Sequence, residues 1–286
     1  MLDERIKPTT ARYAVLGRSL PHTWSPYIHN SLFTAAGVDA VYLPITVPEE
    51  KLDSAVDVFR SCFSGFNVTI PYKEKIIPYL DEVDDAVRAC GAVNTVQIRE
   101  ERMIGHITDG LGMLRAIEER DVATECADVL ILGGGGAARV AGYEFLSRGG
   151  NGTFAVRDLE KGERLVNALA DTQNDGRRRI HSCLLTENSG RHDILINCTP
   201  VGMYPNTEEM PVSEEIVSDC GAVFDAVYNP RETRLLACAA HLGIPCVEGL
   251  GMLFYQAVEA QKFWLGDCIA SETEQARIYH ELQSRL

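Results

Sequence analysis

Positive charge is what this chain has least of. It carries 27 Lys and Arg against 41 Asp and Glu, a net charge of -14 with a pI near 5.0. Nucleic acid and anionic membrane surfaces reward the opposite balance, so neither is expected as a partner. Any anionic ligand has to be held by local donors. A long apolar run is also missing. The most apolar stretch, 129–146, is broken by glycines, Arg139 and Glu144, short of the roughly 20 apolar residues that a membrane span requires. The opening MLDERIKPTT has acidic residues and no apolar segment, unlike a secretory leader. The nine cysteines are scattered, odd in number and never fall as C-x-x-C or beside a histidine pair. They read as reduced, mostly core residues of a cytoplasmic protein, with no metal site.

What is present is a chain of 286 residues, 45% hydrophobic and 24% charged, long enough for two domains of ordinary size. Apolar segments at 12–17, 40–47 and 65–70 predict strands, with a loop and then a helix within 18–37 and a helix at 49–61 between them. Ser25 is expected to cap the first helix, with Pro26 at its first position. Segments 92–99 and 102–107 alternate like an antiparallel pair. A helix from Thr108 or Asp109 to about 120 links to a second alternation. There, strands are expected at 128–133, 152–157, 192–198, 222–228 and 244–247, a weaker one at 178–183, and helices at about 136–149, 160–170 and 233–242. Two further helical stretches close the chain. The fold class is therefore α/β: an N-terminal α/β domain, then a Rossmann-like doubly wound domain, with the C-terminal helices packing back on the first. The expected borders are 1–109, completed by 250–286, and 110–249.

Three stretches carry chemistry. In GFNVTIPYKE, residues 65–74, Asn67 and Thr69 fall on one face near a strand end, and Lys73 follows Pro71 where the chain turns. An amide, a hydroxyl and an amine converge there, unless Lys73 simply opens a solvated helix. Gly133, Gly135 and Ala138 fit G-x-G-x-x-(G/A) directly after an apolar strand and at the start of a helix. That context favours a dinucleotide pyrophosphate over a plain tight turn. About 20 residues on, where an adenosine ribose is read, the signals conflict. Arg157 with Lys161 suits a 2′-phosphate, Asp158 suits ribose hydroxyls, and Val156 offers no carboxylate. ILINCTPVGM, residues 194–203, ends a strand in a polar turn that is either a ligand contact or an ordinary loop.

Together these pieces resemble the shikimate dehydrogenase family. The likeness runs in order through HTWSPYIHN (22–30), GFNVTIPYK (65–73), GAVNT (91–95), TDG (108–110), GGGGAAR (133–139), INCTPVGM (196–203), DAVYNPRETRLL (225–236) and GMLFYQA (251–257). It implies reversible reduction of 3-dehydroshikimate by NADPH, in the pathway to chorismate and the aromatic amino acids, in a cleft between a substrate domain and a cofactor domain. The resemblance puts the catalytic pair on Lys73 and Asp109, and the hydroxyls that grip the substrate carboxylate on Thr23 and Ser25, with Tyr228 beside them. Ring hydroxyls fall to Thr69, Asn94 and Gln256, with Asn67 shaping the loop. Gly133, Gly134, Gly135, Gly136, Ala137, Val156, Arg157, Asp158, Lys161 and Thr199 are assigned to the cofactor, and Ala226 and Gly249 to its nicotinamide.

This chain differs from the family pattern at three places. Thr23 replaces a more usual serine, Ile107 replaces an asparagine, and Val156-Arg157-Asp158 stands where NADP users have Asn-Arg-Thr. The guanidinium of Arg157 predicts NADP, with NAD possible. The partner implied is a small-molecule substrate, and the protein is expected as a monomer or homodimer. A quinate/shikimate dehydrogenase using NAD is the rival within the class. A catalytically silent nucleotide-binding regulator is the rival outside it, and the presence of both Lys73 and Asp109 argues against that.

Overall fold

The strand-helix alternation closes into two separate sheets of six strands each. The computed structural model describes residues 6–171, 179–186 and 190–286. The chain divides into two compact units, Met1–Thr108 with Gln256–Leu286, and Asp109–Tyr255.

The first unit runs β1 (Ala11–Gly17), α1 (Ser25–Ala35), β2 (Ala40–Thr46), α2 (Leu52–Cys62), β3 (Gly65–Val68), β4 (Glu82–Val83), α3 (Asp85–Cys90), β5 (Thr95–Arg99) and β6 (Arg102–His106). The strand order is β2-β1-β3-β5-β6-β4. β1 pairs in parallel with β2 and β3, while β3/β5 and β5/β6 are antiparallel. Tyr13 to Leu16 are all buried, as expected of a central strand covered on both faces. Strand side chains alternate. Phe66 therefore packs under Phe59 of α2, ring centroids 4.5 Å apart, and burying such a ring contributes about 1.5–3 kcal/mol. Asn67 points to the opposite face.

Four local expectations change. β3 ends at Val68, because the Thr69 N–H goes to the Leu16 carbonyl and its own carbonyl accepts from Tyr72, which turns the chain. α1 begins at Ser25 itself with Trp24 as its cap residue, so the Ser25 hydroxyl is not a cap. Lys73 opens no α-helix. It lies in a turn leading to a short 3-10 segment at Ile77–Tyr79. α3 and β4 escape periodicity because they are six and two residues long. α3 owes its start to Asp84, whose carboxylate accepts from Val87 N at 2.8 Å.

The second unit runs α4 (Asp109–Glu118), β7 (Asp128–Leu132), α5 (Gly136–Ser147), β8 (Asn151–Val156), α6 (Leu159–Ala170), β9 (Ile180–Leu184), β10 (His192–Asn197), α7 (Glu214–Ser218), β11 (Cys220–Asp225), α8 (Arg234–His241) and β12 (Cys246–Glu248). Residue 178, where β9 was expected to begin, lies outside the described residues. All pairings here are parallel, in the order β12-β11-β10-β7-β8-β9. That is the dinucleotide-fold order, with its direction of winding reversing between β7 and β10.

α9 (Gly249–Leu265) leads back to the first unit at Gln256, and α10 (Glu272–Gln283) completes it. Trp264 stacks on Tyr13 at 4.7 Å and donates its indole N–H to the Val96 carbonyl at 3.0 Å. Phe263 stacks on His106 at 3.7 Å. An aromatic strip on α9 thus covers the sheet and still satisfies its one polar atom. Among the described residues no disulfide forms. Cys90 and Cys220 are buried, Cys183, Cys238 and Cys246 are half-buried against the core around Cys220, and Cys62, Cys126 and Cys268 are exposed. No described helix is long and apolar enough to cross a membrane, and no described group of three or more His, Cys, Asp or Glu is placed to hold a metal.

Candidate functional site

On the first unit, the parallel strands end where β5 and β6 come alongside, and polar side chains meet there. Asn94 precedes β5 and is 3% exposed. Its amide oxygen accepts from Thr108 N at 2.8 Å, and its amide nitrogen donates to Thr108 Oγ1 at 3.0 Å. The same nitrogen lies 3.5 Å from Gln256 Oε1, long enough to yield to a better partner. Asn67 donates from Nδ2 to Asn94 O and to Thr95 Oγ1, both at 3.0 Å. Asn67, Asn94 and Gln256 are therefore one connected group. Thr108, at the junction with α4, has its hydroxyl committed to that group, and Ile107 beside it is buried and apolar.

Thr69 and Lys73, both half-buried, follow on the turn after β3. Tyr72, fully buried, anchors the turn by donating its phenol to Val47 O at 2.6 Å. The Lys73 carbonyl accepts from Val93 N at 2.8 Å, which fixes the lysine backbone one residue from Asn94. Thr23 and Ser25 are half-buried at the start of α1, with Ser25 N reaching Thr23 Oγ1 at 3.4 Å.

On the second unit, the glycine turn after β7 and Thr199 after β10 fall at the sheet's winding reversal. Gly133 has φ +108, a backbone state costly to any residue with a Cβ. A Cβ there would lie 3.2 Å from Thr199 Cγ2, so the turns after β7 and β10 are neighbours. The α5 cap residue, Gly135, contributes no side-chain bond, and the first turn has no acidic residue. Added Cβ atoms at Gly135 or Gly136 would meet nothing within 4 Å. Gly134 to Ala137 are exposed. An uncapped helix start with open space before it suits an anionic pyrophosphate, by N–H donation and the helix dipole. These residues fit a dinucleotide.

The Asp158 carboxylate caps α6, accepting from Lys161 N at 3.1 Å, and also lies 3.8 Å from Lys161 Nζ. Arg157 is exposed beside it, and Val156 is buried.

Asp225, which the sequence reading leaves without a role, organises this edge. It is fully buried, and takes Asn197 Nδ2 at 2.9 Å, Val227 N at 3.0 Å and Thr233 Oγ1 at 2.6 Å. Burial pushes its pKa up, and those three donors oppose the shift. Asn197 in turn accepts from Thr199 N and Oγ1, at 3.0 and 2.7 Å. A carboxylate ending the apolar strand Cys220–Asp225 is the signal that could have found it. Burial, with the Asp225 charge adding, pushes the Cys198 thiol up to about 12, which favours the neutral thiol. Ala226 lies next along the chain, and a Cβ on Gly249 would sit 2.6 Å from its carbonyl. Glycine is therefore obligatory at 249. Tyr228 is 37% exposed on the same loop, and Asp109, half-buried, opens α4, where a carboxylate is favoured by the helix dipole.

Residues 15–96 match the family described as the shikimate dehydrogenase substrate binding domain. The chain is 38% identical over 266 residues to the NADP(+) shikimate dehydrogenase of Methanocaldococcus jannaschii, covering 91% of this chain and 93% of that one. A crystal structure of a shikimate dehydrogenase in complex with NADP+ superposes with a TM-score of 0.85 at 36% identity, over 96% of this chain and 97% of that one. The shikimate 5-dehydrogenase of Listeria monocytogenes, in complex with shikimate and NAD, gives 0.86 at 29% identity over 98% of each.

Proposed function

The chain belongs to the shikimate dehydrogenase family, and from that premise we propose that Lys73 and Asp109 act on the reacting ring hydroxyl. The reaction is the reversible, NADP-dependent reduction of 3-dehydroshikimate to shikimate. NADPH supplies the hydride in one direction, and its oxidised form accepts it in the other. As the carbonyl of the substrate is reduced, negative charge develops on its oxygen and a proton has to be delivered there. The Lys73 ammonium donates it, and in the reverse direction the amine takes it back. Asp109, which opens α4, is assigned to the same hydroxyl.

Asn94 and Gln256 share a ring hydroxyl, which takes the place of their 3.5 Å contact, and Thr69 binds a second. Thr23 and Ser25 donate to the carboxylate with Tyr228 beside it. Arg157 forks the 2′-phosphate, a task a planar guanidinium does better than an ammonium. The glycine turn with Thr199 receives the rest of the dinucleotide, and Ala226 and Gly249 line the nicotinamide.

The observation that carries this assignment is the Asn67-Asn94-Thr108-Gln256 group, buried and hydrogen-bonded, one residue from the pinned backbone of Lys73. We place the enzyme in the cytoplasm as a monomer or homodimer with no nucleic-acid partner, in keeping with its charge of -14. The test is turnover of shikimate with NADP+ by the wild type and by Lys73→Ala. Activity in the first and its near-complete loss in the second are expected, and full activity in the variant would refute the role of the lysine.

A further inference from the structure

The stretch 22–30 ends in a His-Asn pair that the reaction leaves without a role. In the fold both residues hold a third, Tyr42, on the edge strand β2. The side chain of Asn30 accepts from Tyr42 N at 2.9 Å and donates to Tyr42 O at 3.0 Å. It thereby satisfies the two backbone groups that an edge strand leaves outward, as a neighbouring strand would. Its amide nitrogen also reaches Pro26 O at 2.7 Å, which ties the clamp to the first turn of α1. His29 is fully buried and stacks on the Tyr42 ring, centroids 4.1 Å apart and planes 9° from parallel. Gln261 of α9 holds His29 in turn, donating to its carbonyl at 3.2 Å.

With its backbone clamped and its ring stacked, the Tyr42 hydroxyl has a defined position. It donates to Asn67 Oδ1 at 2.6 Å, a short bond in a buried setting. That bond orients the Asn67 amide, so both hydrogens of its nitrogen are directed at Asn94 O and Thr95 Oγ1. The Ser25 hydroxyl bears on the same phenol, and burial keeps the phenol protonated.

We propose that Tyr42 is a positioning residue for substrate recognition: held by His29 and Asn30, its hydroxyl sets the orientation of Asn67 and, through Asn67, the place of Asn94. Tyr42 touches no reacting atom and acts on ground-state binding of the ring. Its removal therefore appears in the KM for shikimate and not in the chemical step. The inference rests on the assignment of Asn94 and Ser25 to substrate.

The test is steady-state kinetics on the full-length enzyme with shikimate and NADP+, comparing Tyr42→Phe, Asn67→Ala, their double variant and Ser25→Ala, with thermal unfolding of each. Tyr42→Phe keeps the ring on His29 and is expected to raise the shikimate KM about tenfold, with kcat changed less than threefold and the NADP KM unchanged. Asn67→Ala cuts the same bond from the other side and is expected to reproduce the rise, with the double variant no worse than Asn67→Ala alone. A lower Tm with an unchanged shikimate KM in Tyr42→Phe, or losses that multiply in the double variant, would overturn the positioning role. A shikimate KM untouched by Ser25→Ala would instead overturn the substrate-site assignment, and this inference with it. Should Tyr42→Phe fail to fold, an Asn67→Ala enzyme with normal shikimate KM suffices to refute the proposal.

Discussion

On the first unit, Asn67, Asn94, Thr95 and Thr108 are held by side-chain hydrogen bonds of 2.8–3.3 Å within a buried group. On the second, the Gly133–Gly136 turn has no side chains to tie, and the donors we propose it offers the cofactor are backbone N–H groups. Under the proposed assignment the two constructions answer different ligands. A small ring carrying several hydroxyls is distinguished by where each hydroxyl falls, which requires oriented amides and hydroxyls. A pyrophosphate requires close approach and diffuse positive potential, which glycine and a helix start supply. Substitutions in the first unit should therefore register in substrate parameters and substitutions in the second in cofactor parameters. The proposed reaction should in turn demand both Lys73 and Asp109.

The largest effect tests that last demand. Lys73→Ala is expected to lower kcat by about 10²–10⁴ with a smaller change in substrate KM, since proton transfer matters chiefly in the transition state. Asp109→Ala, on the other unit, is expected to cost a similar factor, and the double variant much less than the product. Fully multiplicative losses would make the residues separate contributors.

Next in size is a property of the first unit alone. Burial pushes the pKa of His29 down to about 3, with Asn67 opposing the shift. The folded state keeps this ring neutral, while the unfolded chain binds a proton below its ordinary pKa near 6.5, so stability falls as pH drops from about 6.5 toward 3. Each unit in that window costs about 1.4 kcal/mol. His29→Phe keeps a ring against Tyr42 and should reduce the slope of unfolding free energy against pH by one proton. An unchanged slope would show that His29 is already protonated in the native protein.

Smaller changes separate neighbours on the second unit. Arg157→Ala is expected to raise the NADP KM at least tenfold and leave NAD nearly unaffected, whereas equal loss with both cofactors would show that Arg157 does not read the 2′-phosphate. Asp158→Ala, one residue on, is expected to cost about 1 kcal/mol of stability as a lost helix cap, visible in denaturant unfolding, without raising the NADP KM. A weakened NADP complex would mean that the carboxylate serves the ribose and not α6.

Much of this was legible in the residues. Apolar runs such as Asp128–Leu132 and His192–Asn197, ending in glycine or in an Asn-Cys-Thr-Pro turn, announce parallel strands whose ligand edge lies at their carboxyl ends. What stayed hidden was long-range. That Asp158 caps α6 depends on where that helix begins, and no pattern within 156–161 decides between a cap and a ribose acceptor. Tyr42 looks like any strand aromatic. Its position depends on Asn30 from one helix, His29 stacked on its ring and Asn67 on another strand, 12, 13 and 25 residues away. Asp225 is visible as a polar end to an apolar strand, but its partners Asn197 and Thr233 are set by the sheet order.

The most direct test of the assignment is a steady-state matrix of shikimate and quinate against NADP and NAD with the wild-type protein. Shikimate with NADP is expected to give the highest kcat/KM of the four pairs, at least tenfold above shikimate with NAD. A maximum at quinate with NAD, or no turnover of shikimate with either cofactor, would contradict it.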